Sequence, residues 1–253
     1  MQRLGRCARL ININLSVIFM NLKSTLVAVA FLTMNTVLVM AQDSKNVSVK
    51  NFNGLSVGSG IDLYLTQAST ESLTIKGRSD VIENVVIEQN GSDVSIKYKS
   101  GMNWSSLFRN QSIKVYVSYK TLKRLAASGG SDVYTQNTLK TDMLNLAASG
   151  GSDLKLALAC KDLSLSISGG SDAELTGSAD NFKLTASGGS DVDAFGFSVN
   201  YAKATVSGGS DANLFVNKVL EAGASGGSDV NYKGNASLTK TINSKSGDVT
   251  HVR

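Results

Sequence analysis

Seven aspartates recur at nearly constant spacing through the C-terminal half of this 253-residue chain: Asp132, Asp153, Asp172, Asp191, Asp211, Asp229 and Asp248. The first six close a Ser-Gly-Gly-Ser-Asp unit, and Asp248 closes a worn copy, Ser246-Gly247-Asp248. Carboxylates in a row could do two kinds of chemistry. They could bind Ca²⁺, which takes carboxylate and carbonyl oxygens, or they could supply the acid pair that cleaves glycosidic bonds. The spacing argues against both. Glycine-rich calcium solenoids repeat about every nine residues with GGxGxD, whereas the steps here are 21, 19, 19, 20, 18 and 19 with one acid per unit. A catalytic pair is concentrated at one cleft, while repetition along an edge is what a scaffold demands. The simpler expectation is an Asx-type turn, in which each carboxylate accepts backbone N–H groups of its own corner.

Other reactive groups are sparse. The sole histidine, His251, lies near the terminus, so no histidine triad or multi-histidine metal site can be assembled. Cys160 has no histidine to activate it and reads as a buried structural thiol. No phosphate-binding loop or GxSxG elbow occurs. The chain therefore reads as non-enzymatic and without a cofactor, Ca²⁺ on the aspartate row being the one metal alternative and a carbohydrate-active enzyme the catalytic one. For binding, residues 100–109 hold the only tryptophan, and Trp104, Phe108 and Arg109 could form a lip for a sugar or peptide or tuck the loop onto the core.

The elements that must position these groups follow from the repeat. One and three residues after each aspartate the side chains are mostly apolar or small, as in Leu154 and Leu156 or Ala212 and Leu214. The residue between is polar, as in Lys155, Glu174 and Asn213. Before each glycine pair a second alternating stretch appears, such as Leu163, Leu165, Ile167 and Phe182, Leu184, Ala186. This is strand periodicity with one face buried, and it predicts two clear strands and a shorter third per unit. About nineteen residues leave no room for a crossover helix, so successive units must coil with like strands parallel at about 4.8 Å. A propeller blade needs about forty residues, roughly twice this period. The fold expected is all-β, a right-handed parallel β-helix (solenoid) over 121–253. Its corners are the glycine pairs Gly129-Gly130, Gly150-Gly151, Gly169-Gly170, Gly188-Gly189, Gly208-Gly209 and Gly226-Gly227, where positive φ or close backbone approach is needed. Stacked carboxylates repel by about 0.9 kcal/mol per neighbour in water, so the scaffold must offset that.

Residues 42–120 are strand-rich but irregular. Val57-Gly58-Ser59-Gly60-Ile61-Asp62 reads as an eroded corner of the same type, and Asn90-Gly91 as a tight turn between antiparallel strands. This segment is expected to be a cap of hairpins and imperfect rungs, continuous with the solenoid as one domain over 42–253. Residues 1–41 lack any acid and end in an apolar run over 24–40, which predicts a signal peptide cleaved after Ala41; Met20 offers a second start. The chain has 25 basic residues; without the four of that leader, 21 remain against 20 acidic ones, which removes the electrostatic case for nucleic acid. With no cysteine just after the apolar run, the product is expected exported, in the periplasm, on the outer surface or outside the cell, with no retained membrane segment.

The leader, the Val57–Leu63 segment, the strand stretch from Ile113 to Leu125 and the serial SGGSDV or SGGSDA units together resemble the head GIN domain family of autotransporter-adhesin-like proteins of Bacteroidetes-type bacteria. The resemblance spans nearly all of residues 47–250 and implies a right-handed parallel β-helix and an envelope location. The function expected is an adhesin-like binding scaffold, presenting outward residues such as Lys155, Glu174 and Asn213 to a surface polysaccharide or an envelope protein. A purely structural envelope spacer is a further alternative.

Overall fold

Alternating apolar and polar residues over short periods dictate strands, and strands dominate the computed structural model, which describes residues 43–100, 113–241 and 246–253. The N-terminal part comprises β1 (Asp43–Val47), β2 (Gly54–Gly58), β3 (Asp62–Gln67), β4 (Ser72–Gly77), a one-turn helix α1 (Ser79–Ile82), β5 (Val85–Asn90), β6 (Asp93–Tyr98) and β7 (Lys114–Tyr119). Then follow β8 (Arg124–Ser128), β9 (Val133–Thr135), β10 (Leu139–Ser149), β11 (Asp153–Ser168), β12 (Asp172–Ser187), β13 (Asp191–Ser207), β14 (Asp211–Ser225), β15 (Ser228–Lys233), β16 (Ser237–Lys240) and β17 (Gly247–His251).

The expected parallel solenoid of rungs of about nineteen residues is the fold found. Strand β10 pairs parallel with β11, β11 with β12, β12 with β13 and β13 with β14, like residue over like residue. Leu144, Leu163, Phe182, Ala202 and Leu220 share one register column, and Leu146, Leu165, Leu184, Ala204 and Ala222 share the next; all are buried. A single rung has nothing to cover these side chains, so burial is achieved only by stacking, at roughly 1.5–3 kcal/mol for each fully buried large aliphatic. One detail differs from the sequence expectation. Each middle rung is one continuous strand of 15 to 17 residues bent round its corner rather than two or three separate strands, because the inter-rung ladder persists through the bend. Differences in rung length are taken up at that bend, where the register of β13 against β14 shifts between Ala194 and Ser198.

The glycine corners align in a column, all twelve with φ between 65° and 81°. The two members of a pair differ. A Cβ on the first would stand 2.9–3.2 Å from a backbone nitrogen of the rung before, whereas a Cβ on the second meets nothing closer than 3.9 Å. The first glycine is thus required by contact and conformation, the second by conformation alone.

The serine after each pair is the column's internal fastener. Ser131, Ser152, Ser171, Ser190, Ser210 and Ser228 are all 0 % exposed. Ser210 Oγ accepts the N–H groups of Gly189 (3.1 Å) and Ser190 (3.0 Å) in the preceding rung, and Ser228 does the same for Gly209 and Ser210, both at 3.2 Å. Ser152 Oγ accepts from Ser131 N–H at 3.2 Å and donates to Ser149 O at 3.0 Å. The corner read as eroded in the sequence joins this column: Gly60 and Ile61 N–H both donate to Ser131 Oγ at 3.1 Å.

The N-terminal rung is threaded out of sequence order. Strand β2 lies between β6 and β8, and β3 between β7 and β9, all parallel. The chain therefore lays down one rung, leaves through β4, α1 and β5, adds a rung outside the first, and returns inside it. Beyond that outer rung, β4 pairs antiparallel with β7 and β1 antiparallel with β4, while β5 folds back on β6 as the hairpin that Asn90-Gly91 announced. Antiparallel additions turn the ladder away from continued stacking, which is how this end is capped. The helix α1 was not foreseen.

Candidate functional site

Three outward surfaces of the rungs carry polar or aromatic side chains in register, and their geometry separates them. The first is the row two residues beyond the aspartates. Tyr116, Tyr64 and Tyr134 stack on adjacent rungs, with ring centroids 4.9 and 5.2 Å apart and planes within 18°. Lys155, Glu174, Asp193, Asn213 and Asn231 continue the row. Lys76 Nζ lies 4.7 Å from the Tyr116 ring centroid, and Lys114 Nζ 5.8 Å from that of Tyr64. The tyrosine faces are thus engaged with one another and with lysines, which makes this stack a strut of the N-terminal rungs rather than an open platform. Lys155 and Glu174 approach to 3.6 Å, and Asn231 donates to Asn213 Oδ1 at 3.2 Å. The three residues singled out from the sequence do share one outward row, in contact with their own neighbours.

The second surface is the aspartate column. The structure corrects the expected hydrogen bonding: the acceptor reaches across rungs rather than into its own corner. Asp172 Oδ1 accepts from Asp191 N–H (3.4 Å), Asp191 from Asp211 (3.4 Å), Asp211 from Asp229 (3.1 Å) and Asp229 from Asp248 (3.2 Å). In a parallel stack the N–H of the aspartate in the next rung lies over the carboxylate of the rung before. Nor are the acids uniformly stabilised. Partial burial, then the charges of Asp132 and Asp172, hold the Asp153 carboxyl above its usual range, with Lys155 and the Asp172 N–H opposing. Asp132 instead takes the Tyr134 hydroxyl at 3.3 Å. Among the described residues no group of three or more His, Cys, Asp or Glu side chains is placed to hold a metal ion.

The third surface is a groove on the strand halves that precede the glycine corners. Its floor is the stretch of chain at Leu163, Phe182 and Ala202, whose side chains are buried in the core. One wall is the row Met143, Asp162, Asn181, Tyr201, Val219; the other is Asn145, Ser164, Lys183, Lys203, Glu221. The volume is about 530 Å³. Asn145 also lines a neighbouring cavity of about 310 Å³ beside Arg124 and Asp93, and Met143 lines another of about 660 Å³ beside Lys123 and Lys140. Each neighbour thus shares one lining residue with the groove, which is called the trough below. Met143 and Tyr201, 53 % and 45 % exposed, are the large hydrophobics left open among the described residues. They share one wall three rungs apart, about 14 Å at the rung spacing. Lys218 Nζ stands 5.4 Å from the Tyr201 ring centroid. Asn181 donates to Asp162 Oδ1 at 2.7 Å, Lys203 pairs with Glu221 at 2.9 Å, and Arg124 with Asp93 at 2.8 Å.

Of the other residues considered from the sequence, Trp104, Phe108 and Arg109 lie outside the described residues. Cys160 is half-buried, with its thiol pushed up to about 11 by burial and by Asp162. His251 packs its ring on Tyr232 at 4.8 Å, and its Nε2 lies 3.0 Å from Gly234 O. The groove residues were missed. A bulky Tyr201 at an outward position among Ser, Asn and Lys neighbours was the available signal, but the outward residues singled out were those just after the aspartates, on the other part of the rung.

The sequence profile of the family described as "Putative auto-transporter adhesin, head GIN domain" matches residues 51–236. Among solved structures, a "putative adhesin" from Bacteroides fragilis superposes with TM-score 0.72 at 24 % identity, covering 83 % of this chain and 95 % of that one. A "putative adhesin" from Parabacteroides merdae gives 0.69 at 20 % identity, covering 83 % and 96 %. A "putative lipid binding protein" from Parabacteroides distasonis gives 0.68 at 17 %, again covering 83 % and 96 %. At these identities the likeness is one of fold. No curated protein matches the chain. No helix among the described residues is long and apolar enough to cross a membrane.

Proposed function

The chain belongs to the head GIN domain family of autotransporter-adhesin type, and from that premise we propose that it is an exported, adhesin-like scaffold that holds a surface polysaccharide along the trough of β10–β14. The family and two of the structural relatives carry the adhesin description, which supports a binding role over a catalytic one. The observation that carries the glycan reading is Tyr201: an aromatic ring 45 % exposed, with Lys218 over one face and no second ring among the described residues stacked on it, in a groove whose walls also offer Asn181, Asp162 and Asn145. A sugar is recognised by an aromatic face against its C–H surface together with planar amide and carboxylate groups for its hydroxyls. A trough open along the rung axis suits a polymer lying across successive rungs, since each rung repeats the same set of positions. The apolar run at 24–40 supports export of such a protein.

The test is an array of bacterial surface and cell-wall polysaccharides probed with the wild-type chain and with Tyr201→Ala. Retention on at least one polysaccharide, weakened about tenfold by the substitution, is expected, with no release of sugar products. Wild-type retention on none of them, or retention that Tyr201→Ala leaves unchanged, would overturn the reading.

A further inference from the structure

Within the trough the charges do not cancel pairwise. Glu221 is taken by Lys203 at 2.9 Å, Asp93 by Arg124 at 2.8 Å and Asp142 by Lys161 at 3.0 Å, while Asp162 accepts from Asn181 at 2.7 Å. Lys183 stands in register between Ser164 and Lys203 and has no carboxylate partner among the described residues. Two lysines thus lie on adjacent rungs with one carboxylate, Glu221, on the far side of Lys203. Glu221 meets the charge of Lys203, so Lys183 is left as the uncompensated cation of this wall, and an anion bound there gains an ion pair that no carboxylate among the described residues supplies. Lys183 is also placed to read the sugar that meets Tyr201. Asn181 is the register partner of Tyr201, and Lys183 lies two residues further along the same strand. At the strand spacing and rise of a parallel pair their Cα positions stand about 8 Å apart, a span that one sugar ring with its acidic substituent can bridge.

From this we infer that the polymer held in the trough is acidic, and that Lys183 is the residue that selects its carboxylate, sulfate or phosphate group over a neutral equivalent. The inference rests on the groove reading above and deepens it: Tyr201 engages the sugar surface, and Lys183 decides which sugar. The side chain is exposed and outside the core, so its replacement leaves the rung stack intact.

The full chain is titrated with polygalacturonate, with the same polymer fully methyl-esterified, and with phosphatidylglycerol vesicles. The acid polymer is expected to bind about tenfold more tightly than its ester. Lys183→Gln should abolish that preference, Lys183→Arg should keep it, and Tyr201→Ala should weaken both forms alike. Raising salt from about 50 to about 500 mM should shrink the preference. Equal binding of the two forms by the wild type, or a preference that survives in Lys183→Gln, overturns the inference while leaving the groove reading standing. Binding of neither form, with none on the polysaccharide array, sinks both. Vesicle binding that depends on Lys183, with no polymer binding, assigns the cation to a lipid phosphate and overturns the inference.

Discussion

The backbone N–H of Asp229 donates to Oδ1 of Asp211, one rung before it, across 3.1 Å. The same bond recurs from Asp248 to Asp229 and from Asp211 to Asp191, so each carboxylate offsets the repulsion of its neighbours by capping a neighbour's amide. At Asp211 this predicts that the acceptor oxygen matters more than the charge. Asp211→Asn should leave the urea midpoint nearly unchanged, whereas Asp211→Ala should cost about 1 kcal/mol. Melting temperatures with chelator and with added Ca²⁺ should coincide; a difference of several degrees would make the column a cation ladder instead.

The buried serines should be the costlier loss. Ser210→Ala strands the N–H of Ser190, a residue that is 0 % exposed, and takes the acceptor from the part-buried N–H of Gly189. A destabilisation of about 2–3 kcal/mol is expected in urea denaturation. Ser207→Ala, on the partly exposed side of the same corner, should stay within about 0.5 kcal/mol.

Within a glycine pair the first position should be the less replaceable. A Cβ at Gly188 would lie 3.0 Å from the Gly169 nitrogen, and one at Gly189 would meet nothing. Both substitutions to Ala carry the cost of positive φ, about 1–2 kcal/mol, and Gly188→Ala should add about 1 kcal/mol of overpacking. Gly189→Asn should be the mildest of the set, since asparagine tolerates this backbone region. Thermal denaturation of the three variants checks the order.

Asp153 should set a pH dependence opposite to that of a stabilising carboxylate. Its folded-state pKa is raised, by partial burial and then by Asp132 and Asp172, so ionisation is disfavoured in the folded chain. The penalty is present in full above the folded pKa and fades as pH falls through it towards the ordinary value of 3.8. Asp153→Asn should therefore be more stable than the wild type near neutrality, with the advantage closing as the medium is acidified. An advantage that grows on acidification would contradict the sign.

The rung period, the inward residues and the corner were legible because each depends on local chemistry repeated: Leu163, Leu165 and Ile167 alternate in any register, and Gly169-Gly170 demands its backbone whatever lies above it. The placement of β3 between β7 and β9 was not, since no repeat marks β7 and the pairing joins segments far apart in sequence. Nor was the groove. Lys155 and Lys183 are both outward lysines in alternating strands, and nothing in residue type says which of the two rows lines a cavity. That depends on how the rungs bend, and the register shifts lie between Glu174 and Thr176, between Ala194 and Ser198 and between Val199 and Tyr201, where rungs of unequal length are accommodated.

The central claim is that the trough, not the row beyond the aspartates, is the binding face. Calorimetric titration of the polysaccharide retained on the array, against Asn181→Ala/Tyr201→Ala and against Lys155→Ala/Glu174→Ala/Asn213→Ala, tests it most directly. The first variant should lose about tenfold or more in affinity while the second binds as the wild type does. Loss confined to the second would place the ligand on the opposite row and contradict the account.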